Sequence, residues 1–317
     1  MKPQVTVIVT VHKRTEFLTQ ALESALAQTF REYEIIVADD SGTAAARSLC
    51  EQLVSAGRIR YHANPQTLGV VANVRAVIED AQGEFVSILN DDDLWEPNFL
   101  AELVPPLQQD EERALAFSDH WIISEDGSID ETETDANTRR YGRAALAGGD
   151  LDGPPRFVLI QNGVPLAMAA VFRKRFLNLT LLTDEIAGAY DFWISCLLAA
   201  SGKKFYYVPK RLTRYRVHSR TETGRRDPNK SQNQVYIFDQ LLKHNWFPNL
   251  DGYLRARLSG AFFRLGRDRL YFNQLAEARR CFSKALRTHS DWRPILGGLL
   301  SYLPKFVRVR LNLSEAG

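Results

Sequence analysis

A chain of 317 residues with 45% hydrophobic and 25% charged side chains is too long for one small core and too apolar for a disordered one, so a large folded domain with a smaller appended unit is expected. Its net charge is only +2, and without the motifs of a DNA- or RNA-binding module no nucleic-acid partner is expected. Cys50, Cys196 and Cys281 lack paired spacing and zinc-type His partners, and no long uncharged apolar run occurs. A disulfide framework, a zinc module and a membrane-spanning helix are therefore excluded, leaving a cytoplasmic protein or one peripheral on the inner face of the cell membrane.

Val5-Thr6-Val7-Ile8-Val9-Thr10-Val11 is β-branched and bounded by Pro3 and the polar His12-Lys13-Arg14, which predicts a buried first strand rather than a cleaved leader. Phe17, Leu18, Ala21, Leu22, Ala25 and Leu26 recur at helical spacing, with Thr15 the expected cap. Tyr33 to Ala38 is the next predicted strand, and it stops at Asp39-Asp40-Ser41-Gly42, whose side chains can cap a following helix. A strand near Ile59-Arg60-Tyr61, a helix from about Val70 to Ala81 and a strand Phe85-Val86-Ser87-Ile88-Leu89 continue the alternation. That order implies right-handed crossovers, a mostly parallel sheet covered on both faces, and ligands outside the carboxyl ends of the strands. Asp39, Asp40 and Asp91 to Asp93 all follow strands and should share one rim.

Pro97 suits the first turn of a helix through Leu107, and Ala114-Leu115-Ala116-Phe117 reads as a strand. From Glu125 to Asp152 periodicity is lost, which predicts a long surface excursion, either an acceptor-side flap or a plain insertion. Pro165 to Phe172 reads as a strand, Tyr190 to Ala200 as a helix and Lys204 to Arg216 as extended chain. Beyond residue 225 the pattern is helical, with breaks at Asp227-Pro228-Asn229 and Phe247-Pro248-Asn249. The expected division is an α/β domain over 1–225 and a helical domain over 226–317.

Leu89-Asn90-Asp91-Asp92-Asp93-Leu94-Trp95 puts three carboxylates in a row where a buried strand meets a helix. Packed like charges repel unless a cation or the N–H groups of a helix start compensates. Oxygen ligands in a loop favour magnesium, manganese or calcium over zinc; helix capping with surface charge explains the triplet as well. Asp39-Asp40-Ser41 is a second acidic turn at an equivalent strand end. An aspartate there can accept from a nucleobase ring N–H, or simply cap the next helix.

Taken together these stretches resemble the family-two glycosyltransferases. Six ordered matches carry the resemblance over nearly the first 220 residues: Val5 to Arg14, Glu34 to Gly42, Gly69 to Arg75, Gly83 to Asp93, Tyr190-Asp191-Phe192-Trp193 and Tyr215-Arg216-Val217-His218. The resemblance implies a GT-A type fold, a Rossmann-like mostly parallel sheet with helices on both faces, plus the C-terminal helical region. It implies a nucleotide-sugar donor met by Asp39 or Asp40 at the base, by Thr10, His12 and Arg14 at the end of the first strand, and by Asn73 and Arg75. In the family's Asp-x-Asp element the second acid touches the metal and maps to Asp92, while Asn90 stands at the first position. The assignment is therefore shared, Asp91 and Asp92 toward the donor, Asp92 and Asp93 toward a manganese or magnesium ion. Asp191 corresponds to the catalytic base, although a lone aspartate at a helix start is usually a cap, and Tyr190 stands where relatives often carry an acid. His218 matches a histidine that in some relatives approaches the metal or diphosphate.

The implied activity is of the hexosyltransferase type: inverting, metal-dependent transfer of a single sugar, from a UDP-sugar before other donors, to a glycan or lipid-linked acceptor in surface polysaccharide assembly. Neither Gly-x-Gly-x-x-Gly nor Gly-x-x-x-x-Gly-Lys-Ser/Thr supports a dinucleotide oxidoreductase or a P-loop kinase. A sugar-phosphate nucleotidyltransferase and a noncatalytic sugar-nucleotide-binding protein are the rival readings. Basic residues crowd the region after Arg255, and Ile295 to Arg310 mixes apolar with cationic residues as an interfacial helix does. Salt-sensitive attachment of the C-terminal region to an anionic membrane surface is expected. Leu275 to Leu286 resembles one tetratricopeptide-like helix, and one copy is not an array.

Overall fold

The computed structural model describes residues 2–11, 15–41, 43–64, 66–218, 228–290, 292–304 and 307–308. The chain divides into two compact units, Met1–Asp184 with Tyr190–Thr221, and Glu185–Ala189 with Glu222–Gly317.

The first unit opens with β1 (Val5–Val11), α1 (Leu18–Leu26), β2 (Tyr33–Asp39), α2 (Ala44–Ser55), β3 (Arg60–Ala63), α3 (Val70–Asp80) and β4 (Phe85–Asn90). β1 pairs in parallel with β2 and β4, and β2 with β3. Along β1 the period of two sends Val5, Val7, Val9 and Val11 to one face, into a core with Leu18, Leu22, Leu103 and Leu107. Ile8 on the opposite face is buried too, as a parallel strand covered on both sides requires.

After β5 (Leu94–Trp95), α4 (Phe99–Gln109) and β6 (Arg113–Ile123) come α5 (Glu131–Arg140), β7 (Gly149–Asp150), α6 (Pro154–Arg156), α7 (Leu166–Ala169), β8 (Ala170–Arg173), α8 (Tyr190–Ala200) and β9 (Lys204–Arg216). The nine strands among the described residues lie in the order β3-β2-β1-β4-β8-β6-β9-β5, with β7 also on β9. The expectation of a mostly parallel sheet holds for its first half only. β6 and β9 are parallel, but β8 runs antiparallel to β4 and β6, and β5 and β7 antiparallel to β9. Helices still separate the strands after β6, but β8, lying antiparallel beside both β4 and β6, needs no right-handed crossover to reach either.

Local expectations change as well. Phe17 is the N-cap of α1 and no side chain caps that helix, so Thr15 offers only its carbonyl, to Leu18 N at 3.3 Å. Thr43 stands at the N-cap of α2, and no side chain caps the helix, so the Asp39 and Asp40 carboxylates do not cap it. The stretch 125–152 is no structureless excursion: Asp130 caps α5 by accepting from Glu133 N at 2.9 Å, and β7 joins the sheet. Thr134 is the buried residue of α5, so the helix has no apolar face to betray it in sequence. Within Pro165 to Phe172 the first half is the turn α7 and only Ala170 onward is strand, because a fully buried apolar run carries no period to separate the two.

The second unit contains α9 (Pro228–His244), α10 (Asp251–Tyr271), α11 (Leu275–Thr288) and α12 (Arg293–Leu300). Among the described residues no helix is long and apolar enough to cross a membrane.

Candidate active site

Parallel pairing brings three strand ends side by side, with Val11 opposite Asp39 and Thr10 opposite Asn90. Asn90 Oδ1 accepts from the hydroxyl of Thr10 at 3.4 Å and from that of Tyr190 at 3.3 Å, joining β1 and β4 to the start of α8. Each acidic turn on this rim, and the carboxylate that follows Tyr190, is held differently.

At the end of β2, Asp39 and Asp40 are both buried. Asp39 Oδ1 accepts from Ser41 N at 2.7 Å, and Oδ2 takes the hydroxyl of Tyr61. Asp40 Oδ1 accepts from Leu68 N at 2.7 Å and from Asn64 Nδ2 at 2.9 Å, and its Oδ2 from Gly69 N at 2.8 Å. Gly69, the N-cap of α3, has φ of 93°, a left-handed conformation that a side chain would strain. Asn73 is buried behind this loop; its Nδ2 donates to Ala38 O at 2.9 Å and its Oδ1 accepts from Asn64 Nδ2 at 3.0 Å. Asp40 and Asn73 thus brace the start of α3 against β2. Arg75 donates from Nη1 to Leu182 O at 3.0 Å.

The run after β4 separates its three acids. Asp93 is fully buried, and its oxygens accept from Arg216 N and from Asn90 Nδ2, both at 3.0 Å. Burial first, and then the Asp92 charge beside it, raise the Asp93 carboxyl well above the ordinary carboxylate range. Asp91 and Asp92 retain a little surface. Asp92 Oδ2 lies 3.1 Å from His218 Nε2, a carboxylate and an imidazole brought together across 126 residues. The whole run is pinned by Arg216, whose Nε donates to Asp92 O at 3.0 Å while Nη1 reaches Glu125 O at 2.8 Å and Nη2 reaches Gln20 Oε1 at 2.9 Å. Its guanidinium lies 4.4 Å from the Phe17 ring centroid, and the same ring sits 5.7 Å from that of His218.

Asp191 lies in the first turn of α8. Its Oδ1 accepts from Phe192 N at 2.7 Å, leaving Oδ2 without a protein partner among the described residues. Burial raises its pKa, which strengthens a carboxylate as a base. Tyr190 is buried, and its phenol is pushed well above the usual range by desolvation, then by Asp191, Asp93, Asp92 and Asp91 in turn. Four carboxylates are therefore within electrostatic reach of one hydroxyl.

The structure brings together Thr10, Asp91, Asp92, Asp93 and His218, with Asp191 following the Tyr190 whose hydroxyl meets Asn90 and with Asp39 and Asp40 on the neighbouring strand end. Arg75 donates to the carbonyl of Leu182, and His12 and Arg14 lie outside the described residues. Reading the sequence missed Arg216, although it belongs to the quoted run Tyr215-Arg216-Val217-His218; a buried arginine closing a sheet strand was the available signal. It also took Tyr190 only as a departure from family pattern, whereas its hydroxyl links the start of α8 to Asn90.

For a divalent ion, Asp92 and His218 form a mixed oxygen and nitrogen pair with Asp91 adjoining. Among the described residues no cluster of three or more His, Cys, Asp or Glu side chains forms a closed metal cage. A pair of ligands fits magnesium or manganese, which keep waters and take substrate phosphate oxygens rather than complete protein cages.

The family profile for glycosyl transferase family 2 matches residues 6–145. An uncharacterized glycosyltransferase from Nostoc sp. is 25% identical over 226 residues, covering 68% of this chain and 65% of the relative, just under two thirds of its length. Among solved structures, Staphylococcus aureus TarS in complex with UDP-GlcNAc superposes with a TM-score of 0.66 at 12% identity, covering 94% of this chain and 89% of that one. The mannosyltransferase PcManGT from Pyrobaculum calidifontis, in complex with GDP-Man and Mn2+, gives a TM-score of 0.57 at 17% identity, over 99% and 84%. At these identities the likeness to the solved structures is one of fold, and that fold is the GT-A glycosyltransferase fold.

Proposed function

We propose that the chain, which matches the glycosyl transferase family 2 profile over residues 6–145, is a glycosyltransferase of that family that catalyses inverting transfer of a single sugar from a nucleotide diphosphate sugar, a UDP-sugar, to a hydroxyl of a glycan or lipid-linked acceptor in the assembly of a surface polysaccharide. One observation carries this reading: the Asp191 carboxyl, with one oxygen open, follows Tyr190, whose hydroxyl meets Asn90 immediately before the acidic run. A base and an acidic, histidine-bearing cradle are what glycosyl transfer from a diphosphate needs at neighbouring points.

In this reaction Asp191 Oδ2 takes the proton of the acceptor hydroxyl as that oxygen bonds to the anomeric carbon. The bond from the anomeric carbon to the diphosphate breaks on the opposite face, and the nucleoside diphosphate leaves with the electron pair. Phe192 N holds the other carboxylate oxygen, so the base is fixed in orientation. Asp92 and His218 would hold a manganese or magnesium ion, with Asp91 toward the donor and Asp93, which accepts from Arg216 N and Asn90 Nδ2, supporting the turn. Such an ion supplies Lewis-acid neutralisation of charge on the leaving diphosphate. The complex of PcManGT with GDP-Man and Mn2+ supports that part of the reading. Asp39 is taken to face the base of the nucleotide, with Asp40 and Asn73 shaping the loop beside it.

The same reading gives residues 1–225 the catalytic role. Residues 226–317 then form a helical domain that attaches to an anionic membrane on the cytoplasmic side, where a lipid-linked acceptor would be met.

Asp191→Asn tests the chemistry. Transfer should fall on the order of 100-fold or more, while donor affinity, measured by calorimetry with manganese present, stays near that of the parent. In the parent, kcat/KM should fall with acid along a limb lying above the ordinary carboxylate pKa of about 4, because a base with a raised pKa is lost earlier as pH drops; the limb should vanish from the residual activity of the variant. Loss of donor binding instead of turnover would remove Asp191 from the role of base.

A further inference from the structure

Helix α12 packs inside out. Its small side chains face the protein: Pro294, Gly297 and Ser301 are buried, and a side chain at Gly297 would collide with the ring of Phe282 on α11. Leu300 packs inward against the cluster of Leu270, Ala278 and Phe282, but the other large apolar residues of the helix face outward. Trp292 just before the helix is 68% exposed, Ile295 54%, Leu296 46%, Leu299 64%, and Tyr302 just after it 72%. These positions recur at spacings of three and four, so they form one continuous stripe along the outer face. Soluble helices do the reverse, and an exposed apolar stripe of this size marks a surface with an apolar partner.

Charge around the stripe identifies that partner. From residue 278 to 304 the cations Arg279, Arg280, Lys284, Arg287 and Arg293 stand against one acid, Asp291. The Arg279 guanidinium lies 4.6 Å from the ring centroid of Tyr302, which puts a cation directly at the edge of the apolar face. Arg293 is exposed at the first position of α12 and Lys284 is exposed on α11. Tryptophan and tyrosine bordering aliphatic side chains, with cations alongside, is the composition that settles into the headgroup boundary of a bilayer. A second copy of the chain would bring the same cations against themselves.

We infer that the outer face of α12 docks on an anionic phospholipid surface, lying in its plane with Ile295, Leu296 and Leu299 in the acyl boundary and the cations of α11 against headgroup phosphates. This inference rests on the membrane part of the reading above and not on the chemistry at Asp191, so either can fail without the other.

The test is flotation of the whole protein with vesicles of phosphatidylcholine alone and of phosphatidylcholine mixed with phosphatidylglycerol. The protein should float with the mixed vesicles only, and less so as salt rises through the range in which charges are screened. Ile295→Ser combined with Leu299→Ser should lower the partition coefficient roughly tenfold or more, the scale set by exposing two buried aliphatic side chains to water. Both residues point outward, so the far-UV spectrum, the Tm and transfer to a soluble acceptor should match the parent. Trp292→Phe should abolish a blue shift in tryptophan emission that mixed vesicles induce in the parent. Equal flotation with both vesicle types, or undiminished flotation of the double variant, would overturn the inference. So would a double variant that loses only self-association by light scattering, because the stripe would then be an interface between copies.

Discussion

Two acidic turns flank β1, and they are filled in opposite ways. Asp40, at the end of β2, receives Leu68 N, Gly69 N and Asn64 Nδ2, so the protein's own donors saturate its carboxylate. After β4 Asp93 is treated like that, accepting from Arg216 N and Asn90 Nδ2. Asp92 instead faces His218, with its carbonyl rather than its carboxylate held by the Arg216 guanidinium. Equal density of negative charge therefore serves unequal purposes. What separates a brace from a ligand is where the donors already present are directed, since a carboxylate surrounded by backbone N–H groups is stabilised without any cation.

That contrast breaks most visibly at Asp92. Asp92→Ala should lower kcat/KM by roughly 100- to 1000-fold, the scale found when one group stabilising a developing charge is removed, and manganese should no longer raise donor affinity. A variant that stays within tenfold of the parent would make the second turn a brace like the first. Asp40→Ala should act on the other axis. Removing the carboxylate leaves three donors without their acceptor, at a cost of about 2–3 kcal/mol in folding stability, read as a fall in Tm of several degrees. The drop should exceed that of Asp92→Ala. An unchanged Tm with lost donor binding would move Asp40 from brace to ligand and erase the distinction.

The position of the rim was legible because runs such as Val5 to Val11 and Phe85 to Leu89 are strands by composition, and acids stand directly after two of the early ones. The division of labour among those acids was not. Asp40 is claimed by Asn64, Leu68 and Gly69, residues 24 to 29 positions further along, and Asp93 by the backbone of Arg216, 123 positions away. Sequence displays the carboxylates but not the closure of the chain that supplies their donors. The mixed half of the sheet was hidden for a related reason: β8 is four residues long and merges with the apolar turn before it. Periodicity says that α12 has an apolar stripe but not which way it faces, so the interfacial reading of Ile295 to Arg310 rested on its mix of apolar and cationic residues instead.

The smallest effect falls on the feature that has no counterpart at the first turn. His218 reaches Asp92 through Nε2 at 3.1 Å while its ring lies 5.7 Å from Phe17, so it could serve a cation or merely fill space beside an aromatic. His218→Ala separates these roles. As a ligand, its removal should raise the manganese concentration needed for half-maximal activity about tenfold, within the range seen when a supporting group of a metal site is lost. Activity at saturating manganese should then return close to that of the parent. A packing role predicts the opposite pattern, a loss of activity that no concentration of manganese restores, accompanied by a lower Tm as Phe17 and the Arg216 guanidinium stacked on it lose a neighbour. Only the first pattern keeps Asp92 and His218 together as the pair that distinguishes the second turn from the first.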